Sequence, residues 1–313
     1  MHHGTYHMIP TAPDYSTAAR ILGGMRMEGS DTAHIYFMDA VARTNVYVQM
    51  AECFLMDDQV AESDAAVQRA GAVVELIANK AAHQGLILRY KSTYARVLDA
   101  NRKFLAAAQR YHELSQSSTD LIVAEDLLHM LGRAATCAIL APAGPQRARV
   151  LQVIAQDPRL AQLQQITEYA THPNLLRKMH YGQVIAKDEL VQFAASLAEH
   201  QTAVMGDGLT IMERGVVEHN MIAVSKLYET LYLTELAHIL GVPVPKAEQI
   251  CVTMIMDGSL PGSSMDQVDG LIVFAAAAHR SNNNNINTQA LASFCHQLND
   301  VTEQVQVILA ARP

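Results

Sequence analysis

Tryptophan is absent from this 313-residue sequence, and all aromatics together make up 5% of it. Sheet-dominated folds lean on aromatic and β-branched side chains, so the shortage argues for helix. Cysteine is scarce as well. Cys53, Cys137, Cys251 and Cys295 lie at least 44 residues apart, which excludes a local metal knuckle or a CxxC redox pair. Buried free thiols in a reducing compartment are the expectation. Positive charge is short: 23 Lys and Arg stand against 31 Asp and Glu, a net charge of −8. Phosphate binding needs a basic face, so direct nucleic-acid binding is not expected. No apolar run approaches the ~20 residues that span a bilayer, and residues 1–14 lack the basic start and apolar core of a signal peptide. The sequence therefore predicts a soluble, intracellular protein without a membrane partner.

Catalytic signatures are missing too. None of the 14 histidines falls in a His-x-His or HExxH pattern, so two imidazoles and a carboxylate are not set up to meet on one zinc ion. His2, His3 and His7 sit in an irregular terminus and predict no metal site. Walker, GxGxxG and GxSxG motifs do not occur. Glu218 and His219 could pass for an acid–base pair, but adjacent helical residues point about 100° apart. A histidine hydrogen-bonded to backbone or to Asn220 is the simpler reading. No catalytic, cofactor-binding or metal-binding residue is predicted, and the chain is not expected to be an enzyme.

What is present is apolar surface on helical spacing. Half the residues are hydrophobic, enough for a substantial core. Residues 1–31 read as irregular or weakly helical, interrupted by Pro10, Pro13 and Gly23-Gly24. From about Thr32, Ile35, Met38, Val41, Ala42 and Val46 predict a helix to Met56, closed by the Asp57-Asp58 turn. Val60, Val67, Ala70, Val74, Ile77 and Ala81 make one stripe. Leu86, Tyr90, Tyr94, Val97 and Leu98 mark the next helix, and Phe104, Leu105, Ala108, Tyr111 and Leu114 the one after. Further helices are predicted over 121–140, 145–156, 159–170, 174–181 and 187–199. Short polar joints make each helix an antiparallel neighbour of the next, giving a TPR-like helical-hairpin solenoid over 32–205 without a strict repeat.

The character changes after Met205-Gly206-Asp207-Gly208. Thr210 and Glu213 fit a capping box, opening a helix through Val217, Met221, Val224 and Tyr228. Thr234 is expected to cap a short helix carrying Leu236, Ile239 and Leu240, ended by Gly241. Pro245 begins a second helix carrying Ala247, Ile250, Cys251, Met254 and Ile255. Residues 259–266 and 271–274 read as two strands joined through Asp269-Gly270. Helix, turn, helix and β-hairpin make a winged helix, with Leu236, Ile239, Leu240, Ile250, Met254, Ile255, Ile272 and Phe274 as its predicted core. This module is assigned to 206–275. An asparagine-rich tether follows over 276–288. In 289–313, Leu291, Phe294, Leu298, Val301, Val305 and Ile308 form a seam too short for an isolated coiled coil, which predicts a helix that packs against other helices, from this chain or from partners.

The winged helix raises DNA binding as an alternative, and charge argues against it. Across 231–275, Lys246 is the only cation against Glu235, Glu248, Asp257, Asp266 and Asp269. Such a face repels duplex DNA and suits protein–protein docking, with the hairpin edge available for strand pairing.

The stretch from Glu218 to Tyr228 (EHNMIAVSKLY), continuing to Phe274, resembles the PCI domain shared by subunits of the proteasome lid, the COP9 signalosome and a translation initiation complex. Further blocks, YARVLDANRKFLAAAQRYHELS from Tyr94, CAILAPAGPQRARVL from Cys137 and MDQVDGLIVF from Met265, are similar to the subunit 4 family of the COP9 signalosome. Together they cover about four-fifths of the chain in order. The N-terminal repeats look shorter than the family's, and the polyasparagine tether looks like a lineage-specific expansion. The resemblance implies a non-catalytic scaffold that assembles with other signalosome subunits, including the metalloprotease-containing pair, and engages cullin–RING ligases from which the complex removes NEDD8. It also implies residence in cytoplasm and nucleus. The architecture is shared with proteasome-lid subunits, which is the alternative within this family; a nucleic-acid-associated winged-helix protein is the alternative outside it.

Overall fold

The computed structural model describes residues 14–25, 38–118 and 121–274. The chain divides into two compact units, one up to His219 and one from Asn220.

The first unit is a helical-hairpin array. Helix α1 (Tyr15–Gly23) is capped by Asp14, whose carboxylate accepts from the Thr17 amide at 2.9 Å. Asp39 caps α2 (Ala40–Met56) in the same way, through the Ala42 amide at 2.7 Å. Each cap satisfies one amide that the first helical turn leaves without a partner. Then come α3 (Val60–Val74), α4 (Gln84–Ala100), α5 (Phe104–Ser115), α6 (Ala124–Leu140) and α7 (Pro145–Ala155). The single turn α8 (Leu160–Leu163) and the 3-10 turn Thr167–Tyr169 lead into α9 (His172–Tyr181) and α10 (Lys187–Ala195). Consecutive helices pack closely, α2 on α3 and α5 on α6 above all.

Two apolar clusters hold this unit. One gathers Ala19, Val48, Phe54, Val67, Ala70 and Val97 from α1 to α4. The other gathers Leu98, Phe104, Tyr111, Leu131, Ile139, Ile154, Leu176 and Phe193 from α4 to α10. Each large side chain so buried contributes roughly 1.5–3 kcal/mol relative to exposure. Small residues set the helix spacing. Ala107 and Ala108 on α5 and Ala134, Ala135 and Ala138 on α6 are fully buried, and a Cβ at Gly132 would lie 2.6–2.7 Å from the Tyr169 ring.

The second unit contains the rest of α11 (Ile211–Leu227), then β1 (Thr230–Tyr232), α12 (Leu233–Leu240), α13 (Val244–Met256), β2 (Ser264–Asp266) and β3 (Leu271–Val273). The sheet order is β1-β3-β2, with both pairs antiparallel. Leu231, Ile272 and Met265 stand opposite one another on adjacent strands. Helix α12 ends at Gly241, whose φ of 65° is the left-handed conformation that glycine adopts without Cβ strain. The fold is a helical solenoid followed by a winged-helix module.

Several sequence expectations need correction. The 1–31 stretch holds the regular helix α1, and α2 starts at Ala40 because Asp39 caps it. Helix α3 stops at Val74; Ile77 stays buried but from the turn that follows. The predicted helix over 159–170 is broken into two short turns, and the helix predicted from 121 starts at Ala124. Thr234 caps nothing. The first residue of α12, Leu233, donates its amide to the Gly270 carbonyl at 2.7 Å, so backbone satisfies the helix start. The strand expected over 259–266 is mostly a turn built on Gly262 (φ 72°), with the Leu260 amide on the Met254 carbonyl at 3.0 Å. The third strand, β1, had no counterpart in the sequence reading. The division into two compact units falls within α11, between His219 and Asn220. The tether over 276–288 and the proposed helix over 289–313 lie outside the described residues, as do His2, His3 and His7.

Candidate interaction surfaces

The start of α11 is built as its capping box predicts. The Glu213 carboxylate accepts from the Thr210 amide at 2.8 Å, and the Thr210 hydroxyl accepts from the Glu213 amide at 3.2 Å. Along the same helix, His219 and Glu218 diverge. His219 Nε2 lies 2.9 Å from the Gln183 carbonyl. Glu218 is taken by Arg214 Nε at 3.0 Å and by the Ala143 amide at 3.2 Å. Both side chains are committed to structure and point to different neighbours.

Nucleophiles are equally committed. Burial pushes the Cys137 thiol well above its ordinary value and the Cys251 thiol up to about 11, so neither is a thiolate near neutral pH. Among the described residues no group of three or more His, Cys, Asp or Glu could hold a metal ion. Also among them, no single helix is long and apolar enough to cross a membrane.

The winged helix offers surfaces of a different kind. Of its predicted core, Leu236, Leu240, Ile250, Met254, Ile272 and Phe274 are buried. Ile239 and Ile255 are half-buried. Their places are taken by Leu233, Ala237, Ala247, Cys251 and Leu260. Ile255 instead helps line a shallow groove of about 740 Å3, together with Val252, Met256, Met265, Val268 and Leu271. Met256 is 83% exposed and Val268 94% exposed, an apolar display beyond what scattered surface residues need. Gln267 ties the wing to α13 through Glu248 at 2.7 Å. The Asp266 carboxylate shapes the wing by accepting from the Val268 and Asp269 amides at 2.9 and 3.2 Å. The sheet leaves β1 at one edge and β2 at the other. Asp257, Asp266 and Asp269 are all exposed, while Lys246 Nζ reaches Gln249 Oε1 at 3.3 Å. The module presents apolar surface and two strand edges within an acidic field, a combination suited to docking protein.

Sequence reasoning missed the polar groups buried in the first unit. Arg147 is 3% exposed and donates to the Ala138 and Ile139 carbonyls at 3.1 and 2.8 Å. Burial pushes its guanidinium down to about 10, against the opposing charge of Glu218. Asp99, at the end of α4, accepts from Gln201 at 2.9 Å and lies 3.0 Å from His200 Nε2. A single sequence shows only that these residues are polar; the partners are about a hundred residues away in the Asp99 case.

Comparison with known proteins places these features in a family. The PCI domain family matches residues 181–276, beginning upstream of the Gly206 boundary, and the family described as PSMD12/CSN4, N-terminal, matches 6–124. The chain is 36% identical to COP9 signalosome complex subunit 4 of Dictyostelium discoideum over 232 residues, 74% of this chain and 55% of that protein. It is 32% identical to the protein of the same name from Drosophila melanogaster over 293 residues, 93% of this chain and 66% of that protein. With the Neurospora crassa protein it shares 36% identity over 240 residues, 76% of this chain and 52% of the relative. The chain thus spans between about half and two thirds of the length of these relatives.

Proposed function

The chain belongs to the PCI-domain family of COP9 signalosome subunit 4, and from that premise we propose that it is a non-catalytic scaffold subunit of the signalosome. In this role it supports removal of NEDD8 from cullin–RING ubiquitin ligases through subunit assembly and ligase engagement. The carrying observation is that similarity extends over both the helical array and the winged helix. The absence of catalytic work in this chain is supported by committed side chains. Glu218 and His219 serve different neighbours, and burial raises the described thiols Cys53, Cys137 and Cys251 above their ordinary value.

Its partners in this reading are the other PCI subunits and the metalloprotease-containing pair, with cullin–RING ligases engaged through the complex. The acidic winged helix and its strand edges support protein partners over nucleic acid. The apolar seam from Leu291 to Ile308, outside the described residues, is the proposed inter-subunit contact. Cytoplasm and nucleus are the proposed locations.

The test is purification of the tagged chain from its own cells with quantification of co-purifying proteins. The expected result is a fixed-ratio set of signalosome subunits. Recovery with proteasome-lid subunits instead would transfer the chain to that complex, an outcome kept open by the PSMD12 half of the N-terminal family description. Recovery of DNA or RNA in a salt-sensitive manner would overturn the protein-scaffold reading.

A further inference from the structure

We propose that the cleft between the turn after α7 and the C-terminal half of α9 binds an acidic linear peptide of a partner protein. The cleft measures about 410 Å3, within the ~300–1,000 Å3 range of ligand clefts. Pro158, Leu160, Ala161 and Pro173 line it with apolar groups, and Gln156, Gln164, Arg177, His180 and Tyr181 bring polar groups to it.

Charge selects the occupant. Neighbouring cations are already used inside the chain: Lys178 is paired with Glu189, and Arg159 with Asp157 at 2.6 Å. Arg177 is exposed and makes no ion pair among the described residues. Among the described residues the one carboxylate that lines the cleft, Asp157, has a side chain only 3% exposed and is held by Arg159 and by Gln116 at 2.8 Å. Its charge is therefore compensated in place, and Arg177 sets the sign at the mouth. A guanidinium left without an acid among the described residues, on a chain of net charge −8, is a specific attraction for a carboxylate from outside.

The remaining groups favour a peptide over a free anion or a nucleic acid. Side-chain amides such as those of Gln156 and Gln164 can pair with main-chain N–H and C=O groups. The Pro, Ala and Leu groups of the lining accept an apolar side chain. Tyr181 is 68% exposed, with its ring centroid 5.0 Å from that of His180, an amphipathic wall of the type enriched at binding sites. A single unpaired arginine is too few cations for tracking a polynucleotide backbone. This inference goes beyond the scaffold reading and does not depend on it, because the isolated full-length chain suffices for the test.

The probe is a fluorescein-labelled peptide of alternating glutamate and aspartate with one central leucine, followed by anisotropy at low and physiological salt. The unmodified chain should bind it saturably and leave the Gln/Asn counterpart unbound. Arg177→Glu should weaken binding by about tenfold or more, and Arg177→Gln by less. Arg69→Glu, an equal charge change on the exposed face of α3, should leave binding unchanged. Circular dichroism checks folding; should Arg177→Glu be misfolded, Arg177→Gln decides. Failure of the unmodified chain to bind, equal loss in the Arg69 variant, or displacement of the peptide by a tighter-binding oligouridylate would each overturn the proposal.

Discussion

The guanidinium of Arg147 lies on the last turn of the helix that precedes it, with Nη2 donating to the Ile139 carbonyl at 2.8 Å. Arg147 belongs to α7, and the carbonyls it serves close α6. The last carbonyls of a helix have no intrahelical donor, and here they are buried. Arg147 also donates to the Gly215 carbonyl at 3.4 Å and reaches Met179 Sδ at 3.0 Å. One side chain thus satisfies α6 while bridging to α9 and the first half of α11.

Replacing this arginine by methionine keeps the apolar stem and removes every donor. Arg147→Met should destabilise the first unit by about 2–4 kcal/mol, the cost of leaving several buried carbonyls unpaired. Urea unfolding followed by circular dichroism measures it. A change under about 0.5 kcal/mol, the range of ordinary surface substitutions, would show that water replaces the guanidinium.

Gly132→Ala pits helix propensity against packing. Alanine in a helix interior is worth about 1 kcal/mol over glycine. Against that, the new Cβ would lie 2.6–2.7 Å from the ring of Tyr169, itself 2% exposed. Overpacking costs about 1–3 kcal/mol, so net destabilisation is expected, with altered near-UV signals from the displaced tyrosine. A rise in Tm would mean that the ring moves freely.

His172 should make stability depend on pH. Burial pushes its pKa down to about 4, opposed only in part by the Tyr169 carbonyl. Its Nε2 lies 2.8 Å from the Thr136 hydroxyl, and its ring packs on Phe193 at 4.9 Å between centroids. In the unfolded chain the imidazole takes its proton near 6.5. Between about 6.5 and 4 the unfolded state therefore binds more protons, so stability is full above that window and is lost as pH falls through it. His172 supplies at most about 3 kcal/mol of this loss, and His112, also lowered by burial, adds to it. Asp157 acts elsewhere. Burial raises its carboxyl, but hydrogen bonds and charge from Arg159 outweigh that and hold it below the ordinary range. Its contribution is lost only at lower pH. His172→Gln should flatten the slope between pH 4 and 6.5 in urea titrations; an unchanged slope would assign it to other groups.

Leu236→Asp or Ile250→Asp should unfold the winged helix, because both side chains are buried and an unpaired carboxylate there costs several kcal/mol. Exposed Met256→Asp is the contrast: the fold should persist. Limited proteolysis separates these outcomes. Equal protection of all three variants would place the core elsewhere.

Deleting 291–313 should leave both described units folded and weaken incorporation into the proposed complex, since the apolar seam of Leu291, Phe294, Leu298, Val301, Val305 and Ile308 is assigned to neighbours. Size-exclusion chromatography of reconstituted subunits measures this. Unaltered assembly of the truncated chain would remove that role from the segment.

The amino-acid sequence by itself determined the features that repeat or act locally. Stripes such as Val60, Val67, Ala70 and Val74 announced helices because an apolar face at helical spacing has one way to be buried. Thr210 with Glu213, and Gly241, marked their helix ends because capping involves residues within one turn. The winged helix was legible from its helices and the Asp269-Gly270 turn, and its acidic surface from a count of charges. Tertiary structure decided what depends on distant partners. Thr230–Tyr232 becomes a strand only through register with β3, and Thr234 loses its capping role to a backbone carbonyl from Gly270. Arg147, which its charge alone assigns to the surface, is buried because the last turn of α6 and the first half of α11 converge on it. Arg177 stays available for the opposite reason: its neighbours Lys178 and Arg159 find their carboxylates within the fold, and among the described residues it does not.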